Sequence, residues 1–233
     1  GDRSGAFLAI LKRAVLIYLL GVFFYRGSPG WENDIRYLGV LQRIALCYFS
    51  AATLHLFLRP RALRMTTVGI LLVYWGLMTL VPVPGIGPAN LQPDTNLAHW
   101  VDTQFLGGKK WNGTHDPEGL LSTLPAIASC LLGVLAGLFL KDPSQNAAQR
   151  LKGLTLAGVA LLATGHLWGL AFPIIKGLWT SSYVCVAGGW SCLLLALFYG
   201  IIDVKGWSSW AKPFTWIGMN SIAVYLASNL ADF

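Results

Sequence analysis

The chain has 233 residues, 55% of them Ala, Val, Ile, Leu, Met, Phe, Trp, Tyr or Cys and only 12% charged, about half the charged fraction of an ordinary soluble domain. With 26 Gly, 10 Trp and a mean hydropathy of +0.58, the polar residues are too few to coat a globule, which excludes disordered, collagen-like and disulfide-scaffold classes and makes hydrocarbon part of the solvent. The net charge of +7 would suit a nucleic acid only if it were gathered on one face. Here Lys and Arg sit in short segments between apolar runs, so the expected partner is membrane lipid and not nucleic acid.

Since lipid leaves no water for unsatisfied backbone, the spanning elements must be helices. The expected fold is an all-α, polytopic transmembrane helix bundle of about seven spans, a single bundle over 1–233. About 20 residues at 1.5 Å each cross a 30 Å core, and stretches of that kind lie near 5–25, 37–58, 66–82, 119–140, 153–173, 183–202 and 213–230. The first carries Lys12 and Arg13 in its opening turns, and the third is short, ending at Val81-Pro82-Val83-Pro84. Gly1-Asp2 opens the chain without Met and an apolar run precedes its last residues, which predicts a fragment of a longer membrane domain. No small-residue cleavage site follows the first run, so a signal peptide is not expected.

Arg3, Lys12, Arg13, Arg59, Arg61, Arg64, Lys141, Arg150, Lys152, Lys205 and Lys212 fall on one side of these spans, against Arg26, Arg36, Lys109, Lys110 and Lys176 on the other. The richer side is expected to be cytoplasmic, which turns the segment 83–118 outward. That segment is too long, and too rich in Pro, Gly, Asp and Trp, for a simple connector. It carries Trp100 and Trp111, which offer faces for a sugar, and the glycosylation sequon Asn112-Gly113-Thr114.

In the second span Arg43 lies six residues inside the boundary, about 9 Å deep, where a guanidinium costs about 3 kcal/mol. Gly39, Arg43, Cys47 and Ser50 share one helical stripe with Gln42 beside it, so this face should turn inward. Arg43 either snorkels to headgroups or acts as a fixed cation for a phosphate, carboxylate or developing oxyanion. The fourth span opens with Asp116-Pro117-Glu118-Gly119, where Asp116 is expected as the cap and Glu118 suits the positive helix end. Glu118 and Arg43 lie near the same boundary, where each could compensate the other. The stripe Ser122, Ala126, Ser129, Gly133 and Gly137 predicts close approach of a neighbouring helix.

In the fifth span His166 reads as a buried, hydrogen-bonded side chain, and His55 as interfacial. The following loop gathers Lys176, Trp179, Thr180, Ser181, Ser182 and Tyr183, a mixture that also fits an interfacial aromatic anchor. In the last span Asn220 and Ser221 read as interhelical hydrogen-bonding groups. Cys47, Cys130, Cys185 and Cys192 all lie in apolar runs with no ligand spacing, so no metal is expected.

Leu41-Gln42-Arg43-Ile44-Ala45, Asp116-Pro117-Glu118-Gly119-Leu120-Leu121-Ser122-Thr123, Leu178-Trp179-Thr180-Ser181-Ser182-Tyr183, Asp203-Val204-Lys205-Gly206 and Gly218-Met219-Asn220-Ser221-Ile222 occur in one order along the chain. Together they resemble the heparan-alpha-glucosaminide N-acetyltransferase family and its bacterial relatives. The resemblance implies an acetyl-CoA-dependent transmembrane N-acetyltransferase, passing acetyl from the cytoplasmic side to the amino group of a glucosamine-type sugar outside. It implies a catalytic histidine in a segment upstream of this fragment. None of His55, His99, His115 and His166 matches that motif, so the catalytic residue within this chain is unknown and the fragment alone is expected to be inactive.

For such chemistry an amine needs a base and the oxyanion needs donors. Arg43 and Lys176 are candidates for CoA phosphates or developing charge. Ser182, Asn220 and Ser221 are candidates for the pantetheine arm or sugar hydroxyls, and Glu118 for orienting Arg43 or the sugar ammonium. A homo-oligomer is compatible with the pattern. An anion or solute transporter, or a non-catalytic membrane scaffold, are the competing readings; a transporter would show discontinuous helices meeting at the midplane.

Overall fold

In a computed structural model the described residues are 2–26 and 35–231. They form helices α1 (Arg3–Arg26), α2 (Val40–Phe57), α3 (Pro60–Leu80), α4 (Leu97–Phe105), α5 (Thr123–Leu140), α6 (Ala147–Gly169), α7 (Ser181–Phe198), α8 (Lys212–Met219) and α9 (Ser221–Ala231). No strands occur among the described residues, only isolated bridges Arg36–Gly108 and Val83–Gly87. Among the described residues six helices are long and apolar enough to cross a membrane, the last running from Ser181 through a π-helical turn to Val204. The chain is an integral membrane helix bundle.

Local chemistry explains where the helices begin. Pro60 occupies the first turn of α3, where its missing N–H costs nothing, so this helix starts six residues earlier than the apolar pattern suggests. Asn146 and Gln149 exchange side-chain hydrogen bonds with each other's backbone N–H, a capping box that starts α6 at Ala147. Thr180 caps α7 by accepting from the Tyr183 N–H. The expected seventh span is divided: Asn220 (φ −116°, ψ 26°) separates α8 from α9, and its amide donates back to the Trp216 carbonyl at 2.9 Å. Such a back-bond competes with helix continuation, and Gly218, Asn220 and Ser221 are weak helix formers.

Helix α3 threads three layers of core. Tyr74, Met78, Val83, Leu97, Ala98, Phe172 and Leu178 cluster at the end that carries segment 83–118. Leu71, Ala128, Val184 and Cys185 follow in the middle, then Ala51, Leu63 and Leu131. Outside these layers Leu8, Phe23, Leu72, Leu156 and Leu167 are exposed, an apolar exterior suited to lipid.

Close helix approach occurs elsewhere than expected. A side chain at Gly158 would meet the Gly189 carbonyl, and one at Gly165 the Ser182 carbonyl, so α6 and α7 pack backbone to backbone. The stripe on α5 does not do this: nothing lies within 4 Å of a Cβ built at Gly133 or Gly137. Gly133 borders instead a cavity of about 280 Å³ that Ser129 and Trp179 share with Gly188, Ser191 and Cys192 of α7. Small residues permit approach; they do not compel it.

Candidate active site at the 116–122 turn

Segment 83–118 folds over the helix ends through α4, whose N-cap Asn96 accepts from the His99 N–H at 3.0 Å. From α4 the buried Asp102 carboxylate reaches the turn before α5, accepting from Leu120 N–H at 2.8 Å and Asp116 N–H at 3.3 Å. Burial pushes this carboxyl up, partly offset by those two N–H bonds. A side chain at residue 119 would run into that carboxylate, which explains the glycine of Asp116-Pro117-Glu118-Gly119.

Two arginines close on the same turn. Arg36, 3% exposed, donates from Nε and Nη2 to the two Asp116 oxygens at 2.7 and 2.5 Å, and from Nη2 to Glu118 at 2.6 Å. Its guanidinium also lies 5.2 Å from the Trp111 ring centre. Asp116 accepts further from the Trp111 and Glu118 N–H groups, each at 3.1 Å. Burial alone would raise the Asp116 carboxyl, but the Arg36 fork holds it below its usual range. Glu118 moves the opposite way, raised by burial and by its hydrogen bond with the neighbouring Asp116.

Arg43, 6% exposed on α2, donates from Nη1 to the Pro117 carbonyl at 3.0 Å and from Nη2 to the Ser122 hydroxyl at 3.0 Å and the Ser122 carbonyl. Its guanidinium sits 4.4 Å over the Trp179 ring, a cation–π contact. It points into the protein and does not snorkel. Its Nε has no partner, and no carboxylate pairs with Arg43 among the described residues. Trp179 is held at φ +53°, a left-handed conformation rare for a bulky residue, with Nε1 donating to Ser129 Oγ at 3.0 Å. Its ring therefore joins Arg43 to the α5–α7 cavity.

The other candidates scatter. Glu118 is in the cluster, but its carboxylate pairs with Arg36 instead of Arg43. Asp116 does not cap the fourth span: α5 begins at Thr123 with Ser122 at the cap position, and Asp116 organises the preceding turn as the acceptor for Arg36. Ser182 is fully buried, its hydroxyl donating to the Phe172 and Pro173 carbonyls at 2.6 and 3.1 Å, so it pins the 172–180 loop. Lys176 is exposed on that loop. Asn220 and Ser221 are exposed at the α8–α9 break, with no hydrogen bond to Arg43, Glu118 or Ser182 among the described residues. His166, expected to be buried, is exposed. Arg36, Asp102 and the pairing of Arg36 with Asp116 escaped the sequence reading; the signal was two acids in one motif with no cation beside them.

One further group has metal-ligand chemistry. Asp94, His99 and His115 place one ligand atom each within 4.8 Å of one another. The two rings are stacked, however, with centres 3.4 Å apart and planes 6° from parallel. Lone pairs in parallel planes do not converge on one ion. The Asp94 N–H also donates to His99 Nδ1 at 2.9 Å, leaving the proton of neutral His99 on Nε2. The set is arranged for hydrogen bonding.

No family model matches the chain. Among curated proteins it is 30% identical to human (Homo sapiens) heparan-alpha-glucosaminide N-acetyltransferase over 96% of this chain, and 27% identical to the mouse (Mus musculus) protein of the same name over the same share. The chain is related to the heparan-alpha-glucosaminide N-acetyltransferase family. It spans 42% of the length of both relatives.

Proposed function

We propose that this chain is part of a membrane-bound N-acetyltransferase that moves an acetyl group from cytoplasmic acetyl-CoA to the amino group of a glucosamine-type sugar on the outer side of a cytoplasmic membrane. The observation that carries the reading is the relation to glucosaminide N-acetyltransferases along 96% of the chain. Segment 83–118 faces outward in this reading, and the partners are lipid and the sugar, with a homo-oligomer as the working assembly.

Arg43 supplies a buried cation whose hydrogen bonds, among the described residues, go to carbonyls and a hydroxyl, with a ring beneath it and no carboxylate in contact. Such a cation favours a developing oxyanion or a CoA phosphate in a low-dielectric site. The cavity behind Trp179 offers a path for the donor's thioester arm, with Ser129 and Ser191 in its lining. Glu118 acts through Arg36 on the turn that receives Arg43. Ser182 keeps Trp179 in place through the 172–180 loop, exposed Lys176 meets anionic groups at that loop, and Asn220 and Ser221 offer hydrogen bonds at the α8–α9 break. The unbroken course of α2, α3, α5 and α6 supports a fixed site over a transporter's crossed discontinuous helices.

The test uses the full-length protein in lipid vesicles, with labelled acetyl-CoA on one side and glucosamine oligomers on the other. Labelled sugar that depends on Arg43 is the expected result. An intact, folded protein that labels no sugar would defeat the reading.

A further inference from the structure

The acetyl-transfer reading leaves unused a cavity of about 330 Å³ at the loop-bearing end, within the range of about 300–1,000 Å³ usual for ligand sites. One part of its lining is polar, from Asn96, His99, Asn112 and His115, and another apolar, from Leu91 and Leu178. Among the described residues no Lys or Arg lines it; Lys176, between the lining residues Ile175 and Gly177, is not among them. An amphipathic cavity without a cation suits a sugar carrying an ammonium better than a polyphosphate.

The hydrogen bonds assign the proton on His115. Its Nδ1 lies 3.1 Å from Asp94 Oδ1 and 3.0 Å from Thr114 Oγ1; the ionised carboxylate can only accept and the Thr114 hydrogen goes to Asp94, so Nδ1 carries the hydrogen and Nε2 the free lone pair. Thr114 closes a triangle with this pair, its hydroxyl donating to the same carboxylate oxygen at 2.5 Å and lying 3.0 Å from Nδ1. That bond, foremost, holds Asp94 below its usual carboxyl range and ionised. The lone pair on Nε2 faces an N–H donor already: the Asn112 amide nitrogen at 2.8 Å. Asn112 is exposed at a turn tip beside Gly113 (φ +80°), so this donor can swing away. Beneath the ring lies His99, pushed down to about 4 by burial and by the nearby His115, and so neutral at physiological pH. A neutral π face 3.4 Å away can accept a positive charge on His115. The charged or titratable groups around His115 are Asp94 and His99, with Asp102 of α4 and Asp116 of the turn nearby.

We propose that this cavity binds the amine-bearing acceptor, and that His115 takes a proton from its ammonium through Nε2 while Asp94 holds the ring. The inference rests on the acetyl-transfer reading and deepens it, adding a base inside this chain. In the step, an N–H bond of the ammonium breaks and its proton passes to Nε2, while Nδ1 keeps its own hydrogen, donated to Asp94. The freed amine pair attacks the acetyl carbonyl and forms the C–N bond. The C–S bond of the thioester breaks with its electron pair on sulfur, which takes the second proton from nitrogen, and the imidazolium returns its proton to water. The Asn112 amide marks the place that the acceptor's N–H takes.

The test uses the full-length protein in vesicles with labelled acetyl-CoA and a glucosamine disaccharide, together with disaccharide binding measured by saturation-transfer NMR without acetyl-CoA. His115→Asn should keep disaccharide binding within about threefold and lower the transfer rate at saturating sugar about 10²-fold or more, the usual worth of a positioned base. Added imidazole should restore part of the rate in His115→Ala, which loss of a merely structural side chain would not allow. A His115→Asn rate within about threefold of an active parent overturns the base and leaves the acetyl-transfer reading standing. A folded parent that binds the disaccharide but never labels it overturns the transfer reading and the base with it, and retains the sugar site. No disaccharide binding by an active parent at any concentration overturns the cavity assignment.

Discussion

Arg36 and Arg43 stand seven positions apart, are both buried, and both reach the 116–122 turn, yet their surroundings differ in kind. Arg36 meets two carboxylates and the face of Trp111. Arg43 meets two carbonyls, a hydroxyl and the face of Trp179, and keeps an unpartnered Nε. In the first site the cation is neutralised by ions and the result is a clamp. In the second the hydrogen bonds go to dipoles, with Glu118 and Asp102 acting on the cation through space and not in contact, so a contact position for an incoming anion is kept.

The sharpest way to break this contrast is to remove each guanidinium. Arg36→Ala should cost about 3–5 kcal/mol of stability, because it leaves Asp116 and Glu118 buried without their partner; the midpoint of thermal unfolding in detergent measures it. Arg43→Ala should instead keep most of that midpoint and lose transfer about 10²- to 10³-fold, the scale of a lost oxyanion donor. Arg43→Lys should recover little, since an ammonium cannot span the Pro117 and Ser122 acceptors as a fork does. Equal stability losses in Arg36→Ala and Arg43→Ala would erase the distinction between clamp and site.

Gly119→Ala tests the support beneath both. The new methyl meets the Asp102 carboxylate, and an overpacked turn should cost about 1–3 kcal/mol, read in the same unfolding experiment.

The smallest effect carries a sign. Asp116, held low, contributes stability that is present above its unfolded value of about 3.9 and is lost as pH falls through the lower folded value. Glu118, raised, is disfavoured as a carboxylate, so its protonation on acidification returns stability. Asp116→Asn should therefore lower the unfolding midpoint at neutral pH and flatten its acid limb. Glu118→Gln should leave the neutral midpoint unchanged or raise it. Midpoints of both variants followed across the acidic range check this, and a common sign for the two would reject the assignment of roles.

Much of the architecture was legible because membrane helices announce themselves through composition. Arg43 was legible for the same reason: a guanidinium inside an apolar run demands a partner, and the small and polar residues on its face pointed it inward. The shared boundary offers Glu118 as that partner, but the Glu118 carboxylate meets Arg36, whose fork already holds Asp116. That cation, Arg36, lies 80 residues before Asp116 in the chain, a separation no local pattern encodes. The α5 stripe misled for a related reason: small residues show where a helix can be approached, while Gly158, Gly165 and Gly189 show where one was.

The sequence by itself determined an apolar, helical, membrane-spanning chain and the motifs by which it resembles a known family, because hydropathy and short-range spacing are local properties. Only the tertiary structure decided which cation meets which carboxylate, that Trp179 links Arg43 to a cavity, and that His115 lies on His99 with Asp94 at its edge. Those pairings join residues from separate elements, and their energies depend on burial and distance that exist only once the helices have packed.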